Sequence, residues 1–452
     1  TLAQIRDRLA ELKSQSPQAG GAADNVLHRY QRNTWVRNFV VKFEEEKIKQ
    51  LDTAVFKRLN KIDILSDDGQ REIAHKLKQS LKDKRAEVRI KTYDELDKTQ
   101  AEAVGLICIL PTDHNNGEPL GESGLKRIIN RLYHIMTTAT RDGTDKDPST
   151  GSPARDFSRE AAGRAGQEKT VVFVQFGGGN FGENDKVRNI ESCCARSFAS
   201  TLHLERPDLR IRVVDFDKNI EADVVSKTVI EELQTPVLFS ITGYDKNFIR
   251  RVPVFHNTQP ALYKRRNIQL SSKDVVLVTG GAKGITAECA LEFAKKTKAQ
   301  MVLVGRSELP PQTKDQDNEI IRTLNRFKEE NLKCQYYSCD VTNLESIQQL
   351  INKVEKDYGR ITVVIHGAGL NTLKRLKQTN SESAYQEALP KVLGAINICK
   401  SLEKSTLKLF VGITSVIGVT GMEGSGWYGL ANEILNLFLH QFSVEHKETE
   451  VV

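Results

Sequence analysis

No stretch of the sequence approaches ~18 consecutive apolar residues, which leaves no candidate for a membrane-spanning helix. Residues 1–20 carry charges throughout and lack the apolar core of a secretory signal. There is no CxxC pair and no Cys/His set at metal-ligand spacing, so no metal site is expected. The seven cysteines (Cys108, Cys193, Cys194, Cys289, Cys334, Cys339 and Cys399) are odd in number and scattered, a pattern that fits reduced thiols and a cytoplasmic setting. A basic stripe studded with aromatics is also missing. The net charge of +7 is spread among interspersed Asp and Glu, as on solvated faces, and no nucleic-acid partner is expected. What remains, with 39% hydrophobic and 28% charged residues over 452 positions, is an ordinary globular composition with room for two or three cores.

Polar punctuation divides the chain. Residues 14–25 have linker composition and follow a short amphipathic pattern, Leu2-Ile5-Leu9-Leu12. Residues 141–168 read as a mobile insertion and 310–317 as a shorter loop of the same kind. Between them apolar runs alternate with helical periods. Strands are predicted at Ile62–Leu65, Glu87–Ile90, Val104–Leu110, Val171–Phe176 and Ile211–Val214. The helices among them are Arg71–Leu81, Leu125–Thr137, Val187–Leu202 and Ile220–Leu233, with Cys193 and Cys194 as packing residues. From Val275 the rhythm restarts, with strands at 275–278, 301–304, 334–338, 361–365 and 407–413. Two βα arrays in succession predict an α/β fold of two tandem Rossmann-like units, the second a doubly wound parallel sheet.

The arrays differ in chemistry. The second opens with a strand running into Thr279-Gly280-Gly281-Ala282-Lys283-Gly284-Ile285 and then a helix. Such a turn delivers backbone N–H groups and a helix dipole to a pyrophosphate. Its next strand ends in Gly305-Arg306-Ser307, where the fold meets the adenosine ribose. Arg306 and Lys283 suit a 2′-phosphate, which points to NADPH rather than NADH. At the equivalent turn the first array has Asp67-Asp68, two carboxylates that would repel a phosphate. Its Gly177-Gly178-Gly179-Asn180-Phe181-Gly182 fits a GxGxxG pattern but follows the fourth strand, and is read as a tight turn.

Downstream, Ser415 follows the fifth strand of the second array, and Tyr428 comes thirteen residues later. A helix starting near Trp427 would put Tyr428 and Asn432 one turn apart on one face. Lys391 reads as opening an apolar-periodic helix. Reduction of a carbonyl needs a hydroxyl that hydrogen-bonds the developing oxyanion and then protonates it. A phenol beside an ammonium is such an acid, because the cation favours phenolate. The expected roles are Tyr428 as acid, Ser415 as orienter, Lys391 as electrostatic tuner and Asn432 as polar strut.

On these residues, 270–450 resembles the ketoreductase domain of a type I polyketide synthase, in the short-chain dehydrogenase/reductase superfamily. The glycine motif is matched by Thr279, Gly280, Gly281 and Gly284, the adenine-side acidic turn by Asp340-Val341, and the loop below the nicotinamide by His366-Gly367-Ala368-Gly369. Lys391 before the serine strand and Asn432 after the tyrosine follow the family's swapped order. The segments TGGAKGITAECA and GVTGMEGSGWYGLANE are most similar to iterative synthases such as those of polyunsaturated fatty acids. The resemblance implies NADPH-dependent reduction of a β-ketoacyl chain on the phosphopantetheine of an acyl carrier protein, with ketosynthase and dehydratase domains as partners. It implies a tail of a preceding domain, such as a carrier protein, with a linker at 1–25, and a non-binding structural subdomain, a truncated Rossmann unit, at 26–265. The catalytic subdomain is expected at 266–452, without the sixth strand, lid and seventh strand expected after Val452. Three departures stand out: Thr286 replaces the third glycine, Leu370-Asn371-Thr372-Leu373 replaces a Leu-Asp-Asp fingerprint, and Thr420 stands where one stereochemical class has tryptophan. The altered third glycine and the expected shortened C-terminus leave open the alternative of a catalytically silent domain that organises a synthase.

Overall fold

The computed structural model describes residues 38–98, 103–112, 120–140, 169–183, 189–258, 268–309, 318–402 and 406–452. The Leu2–Leu12 pattern, the 14–25 linker, the 141–168 insertion and the 310–317 loop lie outside them. The chain divides into two compact units, one of residues 1–42 with 254–266 and one of 43–253 with 267–452. The larger unit holds everything that bears on the site.

The first array contains β1 (Asn38–Glu45), β2 (Lys61–Leu65), β3 (Glu87–Lys91), β4 (Gly105–Ile109), β5 (Thr170–Gln175), β6 (Arg210–Phe216), β7 (Phe239–Tyr244) and β8 (Arg250–Thr258). They form one sheet in the order β1-β8-β7-β6-β5-β4-β2-β3, parallel from β3 to β7 and antiparallel between β7 and β8. Every residue of β4, β5 and β6 is buried, as expected of parallel strands covered on both faces. Its main helices are α1 (Arg71–Asp83), α2 (Glu122–Thr140), α3 (Arg196–Glu205) and α4 (Ala222–Leu233). The sheet is larger than the sequence suggested, because β1, β7 and β8 were not read from it.

The second array has β9 (Val275–Thr279), β10 (Gln300–Gly305), β11 (Cys334–Ser338), β12 (Ile361–His366), β13 (Leu409–Gly412) and β14 (Glu450–Val451). All pairs are parallel, in the order β11-β10-β9-β12-β13-β14. This is the doubly wound order, with its crevice at the carboxyl ends of β9 and β12, where the order reverses. The helices are α5 (Gly284–Thr297), α6 (Glu319–Glu329), α7 (Leu344–Tyr358), α8 (Ser381–Ser401) and α9 (Gly426–Glu445). The sixth strand, expected only beyond Val452, already pairs here: Leu409 with Glu450 and Phe410 with Val451.

Two helix expectations need correction. Val187–Leu202 is not one helix: a single 3-10 turn, Ile190–Ser192, precedes α3, and Cys193 and Cys194 lie buried in the gap between them. Asn189 stops the pattern early by accepting from the Glu191 N–H at 3.0 Å. Lys391 does not open a helix either. It sits in the middle of α8, directly after Pro390, which the helix accommodates inside its span. Proline is common at a first helical position, which is why Pro390-Lys391 reads as a start.

The two arrays share a core. Phe198 of α3 packs with Trp427 of α9 at a ring separation of 5.2 Å, and Tyr385 of α8 donates to Glu122 of α2 at 2.9 Å. Ile128, Leu132, Val392 and Leu430 fill the space between these contacts.

Candidate active site

The turn after β9 is built from glycines that cannot be replaced without movement. Gly280 has φ +68°, and a Cβ there would lie 2.8 Å from the backbone of Gly367. Gly281 is packed on Val278, where a Cβ would fall 2.5 Å from Cγ1. Gly284 has φ +58° with open space around it, and there α5 begins. The first turn of α5 carries no acidic residue, and Lys283 at its cap makes no side-chain cap bond. The Gly284 N–H is held at 2.9 Å by the carboxylate of Glu319, an anion already resting at this helix end. Ile285 follows, 75% exposed. The backbone cradle therefore fits the diphosphate of a dinucleotide.

Lys283, Arg306 and Ser307 are exposed around this cradle, and among the described residues neither cation has an ion-pair partner. Tyr336 donates its hydroxyl to the Ser307 carbonyl, and Ser338 donates to that of Arg306 at 3.2 Å, which fixes the backbone that presents them. Asp340 is exposed, with its carboxylate turned on Thr342, whose N–H donates at 2.9 Å. Val341 is buried against Gly394, and its carbonyl accepts from Asn397 at 3.1 Å. Asn397 was missed in the sequence, although a buried amide on the apolar stripe of α8 is the kind of polar exception that marks a tie.

His366 ends β12 with both ring nitrogens engaged: Nδ1 with the Thr279 hydroxyl at 2.7 Å, Nε2 with the Lys391 carbonyl at 2.9 Å. The carbonyl can only accept, so Nε2 carries the proton and Nδ1 accepts from Thr279. Burial, then the nearby Lys391 ammonium, pushes the ring down to about 3, so it stays neutral. Its side chain thus ties strand to helix, and what it leaves to the crevice is the loop Gly367-Ala368-Gly369.

Lys391 is 3% exposed, and its Nζ donates to the Ile413 carbonyl at 2.9 Å. It lies 5.9 Å from the centre of the Tyr428 ring. Gly369 leaves room for it, since a Cβ there would come within 2.8 Å of Lys391 Cε. Burial lowers the ammonium to about 8. Tyr428 is half-buried on the first turn of α9, and its hydroxyl has no hydrogen-bond partner among the described residues. Asn432 donates to the Tyr428 carbonyl at 2.7 Å, while its buried Oδ1 has no partner among those residues. Ser415 follows β13, and its Oγ accepts from the Ile417 N–H at 3.3 Å, so its own proton is left to give. Lysine and tyrosine are therefore brought together, with asparagine on the tyrosine's turn.

Residues 274–452 match the family profile described as KR domain. Polyketide synthase PksN of Bacillus subtilis is 32% identical over 167 residues, 37% of this chain and 3% of that protein. Short-chain dehydrogenase/reductase 3 of Homo sapiens is 27% identical over 158 residues, 34% of this chain and 49% of that one. The segment 274–452 is a KR domain. The same segment is the part that is similar to the polyketide synthase and to the short-chain dehydrogenase/reductase. The fold extends further than the profile: an N-terminal ketoreductase from the macrolactin assembly line superposes with TM-score 0.67 at 16% identity, over 99% of this chain and 88% of that one. The chain thus spans less than half the length of these curated relatives.

The KR domain accommodates its departure at the third glycine. Thr286 is buried, and Gly367 opposite lacks the Cβ that would meet Thr286 Oγ1 at 2.2 Å. Trp427, beside the tyrosine, is buried and donates to Thr379 at 2.8 Å. Glu387, one turn before Lys391, was also missed; it accepts from both the N–H and the hydroxyl of Thr372 and so holds the loop that replaces the Leu-Asp-Asp fingerprint. Among the described residues no helix is long and apolar enough to cross a membrane, and no cluster of His, Cys, Asp and Glu could hold a metal.

Proposed function

We propose that this chain is an NADPH-dependent β-ketoacyl reductase, acting on acyl chains thioesterified to an acyl carrier protein within a polyketide or fatty acid synthase, next to ketosynthase and dehydratase domains. One observation carries the reading: the buried Lys391 ammonium beside the ring of Tyr428, at the carboxyl edge of a sheet whose first turn is a glycine cradle.

Thr279, Gly280, Gly281, Gly284 and Ile285 would hold the diphosphate, Lys283, Arg306 and Ser307 the 2′-phosphate, and Asp340 and Val341 the adenine side. His366, Gly367, Ala368 and Gly369 would form the nicotinamide side, with the His366 ring acting from behind. Bound there, a reduced nicotinamide would supply the hydride for the β-carbonyl carbon. Tyr428 donates its phenolic proton to the carbonyl oxygen, so the ketone becomes an alcohol with charge and protons balanced. Lys391, with its Nζ 5.9 Å from the ring centre, sets a positive charge beside the oxygen that gives up the proton. Ser415 donates a hydrogen bond to the same oxygen, and Asn432 fixes the turn that carries Tyr428. Residues 26–265 act as the structural subdomain and 266–452 as the catalytic one.

NADPH consumption by the purified chain with a β-ketoacyl N-acetylcysteamine thioester tests this. Tyr428→Phe is expected to cut the rate by about 10²-fold or more while NADPH fluorescence enhancement persists. An unchanged rate in the variant refutes the role of Tyr428. Absence of both binding and turnover in the native chain makes it a silent organiser instead.

A further inference from the structure

Glu433 directly follows Asn432 on the tyrosine-bearing helix, is fully buried, and is used by none of the chemistry above. Its carboxylate is spent on the other array. Oε1 accepts from the Arg196 N–H at 3.2 Å, and Oε2 accepts from the Ser197 N–H at 2.9 Å and the Ser197 hydroxyl at 2.6 Å. These are the opening residues of α3, whose own cap position, Ala195, has no side chain to offer. A side chain 236 positions away in sequence thus caps the helix. Like-for-like support comes from the opposite end of α3. Glu205 accepts from the Gly424 N–H at 3.0 Å with Oε1 and from the Leu376 N–H at 2.8 Å with Oε2. One carboxylate therefore sets the spacing of two loops, 371–376 and 421–425. Those loops also join directly, through Lys374 N–H to the Gly424 carbonyl at 2.9 Å and an Arg375–Glu423 ion pair. Between the two ends, Thr201 accepts from the Met422 N–H at 3.1 Å. The approach is close: at Gly421, φ +65°, a Cβ would lie 2.6 Å from the Thr201 nitrogen.

Tyr428 lies between these anchors, with Glu205 and Thr201 gripping the chain before it and Glu433 locking the helix after it. We propose that α3 of the first array is the positioning element for Tyr428, with Glu433 and Glu205 as positioning residues that set the tyrosine and the substrate-side loops against Lys391. Neither residue touches a reacting atom. The inference rests on the reductase reading for its kinetic consequence, not for its geometry. A displacement of about 1 Å at a reacting group can lower the rate 10²-fold, so small losses of registration are readable.

The test compares Glu433→Gln, Glu205→Gln and the milder Ser197→Ala with Lys76→Gln, which breaks only an exposed pair with Asp223 on the same array. Each Gln keeps the shape but can accept through a single oxygen, so one N–H loses its partner. NADPH affinity by fluorescence is expected to stay within twofold, because the glycine cradle is untouched. The kcat/KM for the thioester is expected to fall about tenfold or more in Glu433→Gln and Glu205→Gln, and less in Ser197→Ala. Hydrogen exchange is expected to speed up for the amides of 421–428, and not in Lys76→Gln. Folded variants with unchanged kcat/KM and unchanged exchange overturn the proposal. If the native chain reduces nothing, the reductase reading fails, and exchange alone decides this one: retained protection over 421–428 overturns it, lost protection supports it. Should the Gln variants fail to fold, Ser197→Ala is judged by the same two readouts.

Discussion

Lys391 is where burial and charge act on one atom. Its ammonium sits almost out of water with a single carbonyl as hydrogen-bond partner, and desolvation brings it to about 8 from an ordinary 10.5. The folded chain therefore holds this proton more weakly than the unfolded chain does. Between about pH 8 and 10.5 the unfolded state binds more protons, so stability rises with pH across that window and is lost as pH falls through about 8. Unfolding free energies of the native chain and of Lys391→Met, measured across that window, are expected to diverge by up to about 3 kcal/mol, the native chain gaining with pH. Parallel curves would mean that the amine is solvated. The lysine was legible as one of a set of four, from residue types and spacing. Its depth in α8 was not, because Pro390 carries the signature of a helix start.

At the level of elements, the second array could be read almost strand by strand, since β9, β10 and β12 are mostly apolar runs that end at Thr279, Gly305 and His366. The start of α3 could not be placed, because its cap comes from Glu433, and no local pattern reports a partner so far along the chain. The two glycine-rich turns show why a motif needs its setting. The one after β9 meets only the exposed Glu319 carboxylate, on the Gly284 N–H, whereas the one after β5 closes on a fully buried one: Asp215 accepts from the Gly177 N–H at 2.6 Å and the Phe181 N–H at 2.9 Å. Burial raises Asp215 to about 6. Gly178, Gly179, Phe181 and Gly182 all take positive φ to wrap around it. The Asp67-Asp68 turn is likewise closed on itself, through Arg131 at 2.9 Å and Arg71 at 2.8 Å. Asp215→Asn should destabilise the chain by about 1–3 kcal/mol in a denaturant titration, by leaving one buried N–H without its acceptor. Its NADPH affinity should not change. A change in NADPH affinity with stability intact would mean that this turn, not the one after β9, serves the cofactor.

For the whole molecule, two βα arrays were visible in the sequence rhythm, but the side chains that join them were not. Among the described residues the first sheet is the larger, with eight strands against six, yet its turns at Asp67-Asp68 and after β5 are held by its own side chains. Its helices α2 and α3 cover α8 and α9, the two helices that carry lysine and tyrosine. The strands overlooked, β1, β7 and β8, lie together at one edge of that sheet, where half-buried positions dilute the apolar signal that marks β4 to β6. So both arrays were readable as strands and helices, while the contacts that join them, such as Glu433 to Ser197, were not.

Hydride delivery is the step on which this reading stands, and isotope tracing follows it directly. The chain would be given NADPH carrying deuterium at the nicotinamide C4 that delivers hydride, together with a β-ketoacyl thioester, and the product examined by mass spectrometry. One deuterium on the β-carbon is expected from the native chain, with at least about a 10²-fold slower appearance in Tyr428→Phe. A product without that label, or one labelled at the same rate in the variant, would contradict it.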